Sequence, residues 1–137
     1  MSSNIYNIIE WSEFKSLIKQ HFNRQFVKID DLFTDDSIWY SLENYDELDD
    51  IEIYNCLDSI KKFKGILYVV TDASYQQNLA PFIIHSNNLK KFVEKHYETF
   101  NENFLETDVL IISFELNLAW IFHHEGVYSV IDFSKQY

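Results

Sequence analysis

The chain has 137 residues, of which 47% are apolar and 18% aromatic, and this is enough for one domain with its own core over residues 1–137. Its single cysteine, Cys56, excludes an intramolecular disulfide, and the sequence shows neither a signal-peptide pattern nor a membrane-length apolar run, so we expect a cytoplasmic protein without a membrane partner. The formal net charge of −11, with lysines scattered in ones and twos, argues against nucleic acid as a partner.

The first half of the chain predicts two helices with little regular structure between them. Apolar residues recur at helical spacing over residues 12–22, which predicts the first helix. The side-chain pattern over residues 25–29 alternates as in a strand, which predicts a short strand there. Residues 37–45 could form a short helix or an irregular loop. Helical spacing returns over residues 50–64, where one of two aspartates can cap the start.

The next segment predicts two strands and the clearest helix. Residues 66–71 form a near-continuous apolar run, which predicts a strand buried on both faces at the centre of a sheet. Residues 81–85 predict a short strand, which the leading proline confines to a sheet edge or a strand start. Apolar side chains then repeat every three or four residues over 89–104, behind a capping Ser86, so this helix has an apolar stripe facing the sheet. His96 lies on that stripe and is expected to be a structural histidine.

The C-terminal third is rich in strands. Strands are predicted over residues 108–114, 118–123 and 127–133, and the last two are joined by a tight turn in which Gly126 supplies a positive φ. Helices followed by hairpin-linked strands are typical of an α+β domain. We therefore expect a mainly antiparallel sheet with C-terminal hairpins and with the helices packed on one face.

The charge of the chain is concentrated in one segment. No lysine or arginine occurs between Lys28 and Lys61, and this acidic window, residues 29–60, contains eleven of the twenty-two carboxylates. Outside the window, eleven acidic residues balance the eleven basic ones. Because such a segment produces a local negative field, it favours a basic partner.

The acidic window also contains aromatic residues, which distinguishes it from a disordered acidic tail. One interpretation is a solvated surface that confers only solubility. The other is an interface, in which aromatic side chains bury area while carboxylates steer a basic partner and pair with it. We take the interface as the hypothesis, and the residues expected to bind the partner are Asp35, Asp36, Trp39, Glu43, Tyr45, Asp46, Glu47, Asp49 and Asp50.

Two places in the sequence could carry chemistry, and neither forms a complete site. His123 and His124 precede Glu125, but adjacent residues of a regular strand point to opposite faces, so we expect no metal site there. Asp72 follows a buried strand, where a small enzyme could use it with His123 or Glu125, although a turn explains it equally well. No nucleophile motif is present, and two glycines are too few for a phosphate-binding loop. We expect no catalytic residue, cofactor or small-molecule substrate.

The C-terminal hairpin sequence resembles a known group of proteins. Residues 108–114 (DVLIISF) and 118–128 (LAWIFHHEGVY) are similar to the C-terminal hairpin region of immunity proteins from contact-dependent growth inhibition and related polymorphic toxin systems of bacteria. The resemblance implies a non-enzymatic protein that neutralises a cognate toxin, often a nuclease, by covering its active site or its basic nucleic-acid groove. A small enzyme using Asp72 and an adaptor of a phage or regulatory system are the alternatives.

Overall fold

The computed structural model describes residues 5–33, 37–43, 45–56, 62–76 and 79–135. Within these ranges the chain forms seven strands and three α-helices, connected in part by short 3-10 turns. In chain order they are β1 (Asn7–Ile8), α1 (Trp11–Phe22), β2 (Tyr40–Ser41), α2 (Asp50–Cys56), β3 (Ile66–Val70), β4 (Phe82–His85), α3 (Leu89–Phe100), β5 (Val109–Ser113), β6 (Leu118–His123) and β7 (Val127–Asp132).

The strands form one antiparallel sheet in the order β1-β4-β3-β5-β6-β7-β2. Its middle strand, β5, is buried along its whole length, and the run that predicted the sheet centre forms β3, which lies beside it. The turn between β6 and β7 contains Gly126 with φ of +84°, as the hairpin required. The α+β class, with a mainly antiparallel sheet and C-terminal hairpins, is confirmed.

The helices cover both faces of the sheet, which corrects the expectation that they would pack on one. Leu67 and Val69 of β3 belong to the core under α2 and α3, whereas Val70 belongs to a second core with Phe14 and Ile18 of α1. The physical reason lies in the interior strands, because their runs of apolar residues place apolar side chains on both faces. Each face then needs a cover, and α1 supplies the second.

The predicted strand over residues 25–29 is not formed. Lys28 instead precedes a 3-10 turn over residues 29–32. The Asp31 carboxylate accepts hydrogen bonds from the backbone N–H groups of Val27 (2.7 Å) and Lys28 (3.0 Å). Local side-chain bonds to the backbone of this kind compete with strand pairing. Residues 37–43 are mostly irregular, apart from β2, which pairs with β7 at the sheet edge.

The structure describes α2 and α3 over shorter ranges than the apolar pattern predicts. α2 is described to Cys56, whose side chain, like residues 57–61, lies outside the described residues. α3 stops short of residue 104 because Asn101 adopts the left-handed conformation (φ 59°) that commonly ends helices. Ser86 does not cap α3, since its hydroxyl accepts a hydrogen bond from the Gly65 N–H. Among the described ranges, no helix is both long and apolar enough to cross a lipid bilayer.

Candidate functional site

Two described segments of the acidic window differ in their structural roles: an inner segment, residues 45–52, and an outer segment, residues 37–43. In the inner segment, Asp49 and Glu52 form a reciprocal cap at the start of α2: the Glu52 N–H donates to Asp49 Oδ1 (2.9 Å), and the Asp49 N–H donates to Glu52 Oε1 (3.1 Å). This confirms the expected aspartate cap. The Asp49 carboxylate therefore has an intramolecular role even though its residue is exposed.

Asp50 fastens the start of α2 to the segment that follows α3. Its two carboxylate oxygens accept hydrogen bonds from the backbone N–H groups of Phe104 (2.6 Å) and Leu105 (2.9 Å). A carboxylate that accepts two backbone donors makes charge-assisted bonds, which are stronger than neutral ones. The sequence assigned Asp50 to a partner interface, whereas these oxygens face the protein itself.

Tyr45 is also used within the fold. Its hydroxyl donates to the Leu105 carbonyl oxygen (2.5 Å), and its ring contacts Phe122 with 5.6 Å between ring centroids. The same ring packs over the hairpin turn, because a Cβ atom built at Gly126 would lie 2.8 Å from Tyr45 Cγ. Tyr45 was expected to anchor a partner, but the structure shows a partly buried tyrosine that holds the β6–β7 turn against the loop after α3.

The outer segment is different, because it carries three consecutive exposed apolar side chains. Ile38, Trp39 and Tyr40 are 63%, 36% and 50% exposed. Across the pairing of β2 with β7, the ring of Tyr40 stacks on that of Tyr128 at 5.5 Å, and Val130 on β7 is exposed as well. We name these five residues the β2 surface. Runs of exposed apolar side chains of this kind mark interaction sites on soluble proteins.

A groove of about 360 Å³ is lined by four residues of the β2 surface, whereas the Trp39 ring lies outside it and contacts Phe33 and His123. This volume is at the lower end of the range for ligand pockets and is suited to one or two large side chains of a partner. Phe63, which lines the groove, is buried, and Lys62 is exposed and is the one basic residue among the described residues of the lining. The lining residues are Ile38, Tyr40, Lys62, Phe63, Leu118, Tyr128 and Val130.

The remaining carboxylates of the hypothesis fall into two groups. Glu43 and Glu47 are exposed and stand on either side of residue 45. Asp35 and Asp36 lie outside the described residues, as does the side chain of Asp46. Whether these carboxylates bind a basic partner therefore stays a prediction, and the two that the structure describes, Glu43 and Glu47, lie close in sequence to the β2 surface.

A second group of polar side chains lies at one end of the sheet, where β3 and β6 end and β5 begins. His124 donates its backbone N–H to Asp108 Oδ1 (3.0 Å), and its ring Nδ1 lies 2.9 Å from the same oxygen. His123 Nδ1 lies 3.4 Å from that oxygen, and the two histidine ring centroids are 5.3 Å apart. We name these three residues the Asp108 cluster.

The Asp108 cluster corrects the expectation that the two histidines would diverge. Strand alternation applies only to His123, the last residue of β6, because His124 already belongs to the turn. Sequence reasoning also missed Asp108. The predicted hairpin contained the necessary information. Because Val109 pairs with Phe122, Asp108, which precedes β5, lies next to His123, which ends β6.

The pKa shifts in this region follow from the short distances. Burial raises the pKa of Asp108, but the hydrogen bonds from the His124 N–H and ring and the nearby imidazoles lower it overall. The hydrogen bond to Asp108, followed by the charge of that carboxylate, raises the pKa of His124. Burial raises the pKa of Asp72, and the carboxylates of Glu102 and Asp108 raise it further. Asp72 thus interacts electrostatically with this end of the sheet.

His96 is a buried histidine, as its position on the apolar stripe predicted. Its side chain is surrounded by Phe92, Phe100 and Phe104, and its Nε2 lies 2.7 Å from Glu102 Oε2. Because Glu102 follows α3 directly, this bond ties the last turns of the helix to the loop that leads into β5.

Comparison of the chain with protein-family models, with curated protein sequences and with solved structures finds no significant match.

Proposed function

We propose that this protein is a non-enzymatic immunity protein that acts in the bacterial cytoplasm and neutralises a basic, nuclease-type toxin domain by covering it with the β2 surface. The observation that carries the proposal is the run Ile38, Trp39 and Tyr40, three exposed apolar side chains at a sheet edge beside a groove. Aromatic side chains of this type supply much of the free energy of binding at protein interfaces.

The charge around the β2 surface supports a basic partner. No lysine or arginine occurs between Lys28 and Lys61, while Glu43 and Glu47 are exposed and lie close in sequence to the surface. Exposed carboxylates of this kind raise the association rate with a basic protein, whereas the apolar groups determine how slowly the complex dissociates. In the complex, the carboxylates would occupy positions that substrate phosphates take on a nuclease.

The resemblance of the C-terminal hairpin to immunity proteins points to the same class of partner. In this structure the hairpin formed by β6 and β7 supports the β2 surface directly, because β2 pairs with β7 and the Tyr128 ring stacks on Tyr40. The part of the sequence that carries the resemblance is therefore also the scaffold of the proposed interface.

The test is co-production with the toxin domain encoded in the neighbouring reading frame, followed by binding kinetics with the two purified proteins. We expect this protein to restore growth of cells that produce the toxin. The Tyr40→Ala and Trp39→Ala variants should raise the dissociation constant by about 30-fold, which corresponds to about 2 kcal/mol. Tyr97→Ala is the matched control, since Tyr97 is 55% exposed on α3 and Tyr40 is 50% exposed.

A second part of the experiment separates the effect of the carboxylates on the association rate from the effect of the apolar side chains on the dissociation rate. The double variant Glu43→Gln and Glu47→Gln should slow association and flatten its salt dependence, whereas Glu94→Gln with Glu98→Gln, two exposed glutamates of α3, should not. Unprotected cells, or binding that both Tyr40→Ala and Trp39→Ala leave unchanged, would overturn the proposal.

A further inference from the structure

We propose that Asp108, His123 and His124 form a binding site for one divalent transition-metal ion, with Zn²⁺ as the ion that their donor atoms suit best. Two imidazole nitrogens and one carboxylate oxygen are a donor set that zinc uses in proteins, with the fourth position open to water. The proposal is independent of the proposed function, because it concerns a different group of side chains.

The distances within the cluster match those between ligands of one ion. Metal bonds of about 2.0–2.1 Å in a tetrahedral arrangement place neighbouring ligand atoms roughly 3.3 Å apart. In the structure, Asp108 Oδ1 lies 2.9 Å from His124 Nδ1 and 3.4 Å from His123 Nδ1. One ligand atom from each of the three residues lies within 4.8 Å of those of the other two.

The state of His123 points independently to a ligand. Its Nδ1 is shielded from solvent, and within the described residues it has no hydrogen-bond partner, although it lies 3.4 Å from the carboxylate oxygen. A shielded polar nitrogen without a partner costs free energy, and coordination of a metal ion removes that cost.

A hydrogen bond from the backbone also holds the Asp108 carboxylate in place as a ligand. The His124 N–H holds Oδ1 at 3.0 Å, which fixes the carboxylate without using either imidazole ring. A metal ion would take the place of the proton between Asp108 Oδ1 and His124 Nδ1, and the backbone bond would remain as the outer support that orients the ligand. The ion would then fasten the start of β5 to the turn between β6 and β7.

The site is open enough for an ion to enter, since the side chains of Asp108, His123 and His124 are 39%, 30% and 55% exposed. Trp39 gives the site a built-in reporter, because its ring centroid lies 6.0 Å from that of His123. The remaining tryptophans, Trp11 and Trp120, are not among the rings that contact His123 or His124 in the described residues.

The experiment is titration of the chelator-treated full chain with ZnCl₂ by calorimetry, and with CoCl₂ while tryptophan fluorescence and the visible absorption of bound Co²⁺ are recorded. We expect one ion per chain, together with quenching that is lost in Trp39→Phe. Asp108→Asn, His123→Gln and His124→Gln should each weaken binding by at least about tenfold. His21→Gln and His85→Gln, exposed histidines elsewhere, are the matched controls and should bind as the unmodified chain does.

Circular dichroism of each variant tests whether the fold is kept. His124→Gln is the variant least able to disturb it, since the His124 side chain is the most exposed of the three and its backbone bond to Asp108 is retained. Absence of binding by the unmodified chain would overturn the proposal. Binding that the cluster variants leave intact, or that the His21→Gln and His85→Gln controls lose equally, would overturn it as well, because the ion would then be held by surface histidines in general.

Discussion

The inner and outer segments of the acidic window differ in composition and in use, since five of the eight inner residues are carboxylates, against one of the seven outer residues. In the inner segment, Tyr45 and Asp50 direct their polar atoms to backbone groups at residues 104 and 105. In the outer segment, Ile38 and Tyr40 turn apolar surface outward. The difference shows that a carboxylate or a tyrosine in an acidic stretch is available to a partner only where the fold offers no nearby backbone group.

The largest effect is expected from Asp50→Ala. This change leaves the backbone N–H groups of Phe104 and Leu105 without their acceptors in a partly buried place, so we expect the free energy of unfolding to fall by about 3 kcal/mol. Urea unfolding followed by circular dichroism measures it. Glu47→Ala, at an exposed glutamate of the same segment, is the control and should change stability by less than about 0.5 kcal/mol. Equal effects of the two changes would show that the hydrogen bonds accepted by Asp50 do not stabilise the fold.

A smaller effect is expected from Tyr45→Phe. The ring keeps its packing over Gly126 and against Phe122, while the hydrogen bond to the Leu105 carbonyl is lost, so stability should fall by about 1 kcal/mol. Thermal or urea unfolding is again the measurement. Tyr40→Phe is the matched change in the outer segment, and a loss of stability as large as that of Tyr45→Phe would show that the β2 surface also holds the fold together.

The smallest effect on stability is expected from Asp31, which lies in the 3-10 turn at the start of the acidic window, and this effect depends on pH. Hydrogen bonds from the Val27 and Lys28 N–H groups lower the pKa of Asp31, so the carboxylate stays ionised in the folded chain at a pH where the unfolded chain takes up a proton. Its contribution to stability is therefore full above the unfolded value of about 3.8 and is lost as the pH falls through the lower folded value.

Asp31→Asn tests this contribution, since the amide can still accept a hydrogen bond but does not titrate in this range. We expect the unmodified chain to lose more stability than Asp31→Asn when urea unfolding is compared at about pH 6 and about pH 3. The exposed Asp30 provides the control, and a pH profile that Asp31→Asn leaves unchanged while Asp30→Asn alters it would contradict the assignment.

Periodicity was enough to predict the interior strands and the C-terminal hairpins, because β3, β5 and β6 are continuous apolar runs that can be recognised without tertiary information. It did not predict the two-residue edge strands β1 and β2. It did not predict where α1 would pack, since an apolar helix face has no preference between the two faces of a sheet. The strand expected over residues 25–29 failed because one carboxylate, Asp31, binds the backbone locally.

For the candidate sites, too, local sequence patterns predicted some features and missed others. Exposure of the β2 surface agrees with the hypothesis for Trp39, yet nothing in the sequence distinguished it from Tyr45, because the partner of the Tyr45 hydroxyl is 60 residues away. The Asp108 cluster was missed because alternation was applied to His124, one residue beyond the end of the strand. Contacts between distant residues are set by tertiary packing, whereas the end of β6 at His123 was predicted correctly from the sequence.

The two edge strands, β1 and β2, are only two residues long. β2 itself exposes few backbone groups, but it pairs only with Val127 and Tyr128 of β7. In the described part of the chain, residues 129–131 of β7 therefore have no strand paired on their outer side. Backbone groups at a sheet edge are a template for an additional strand, so recognition at this edge can use the backbone of β7 as well as the side chains of the β2 surface.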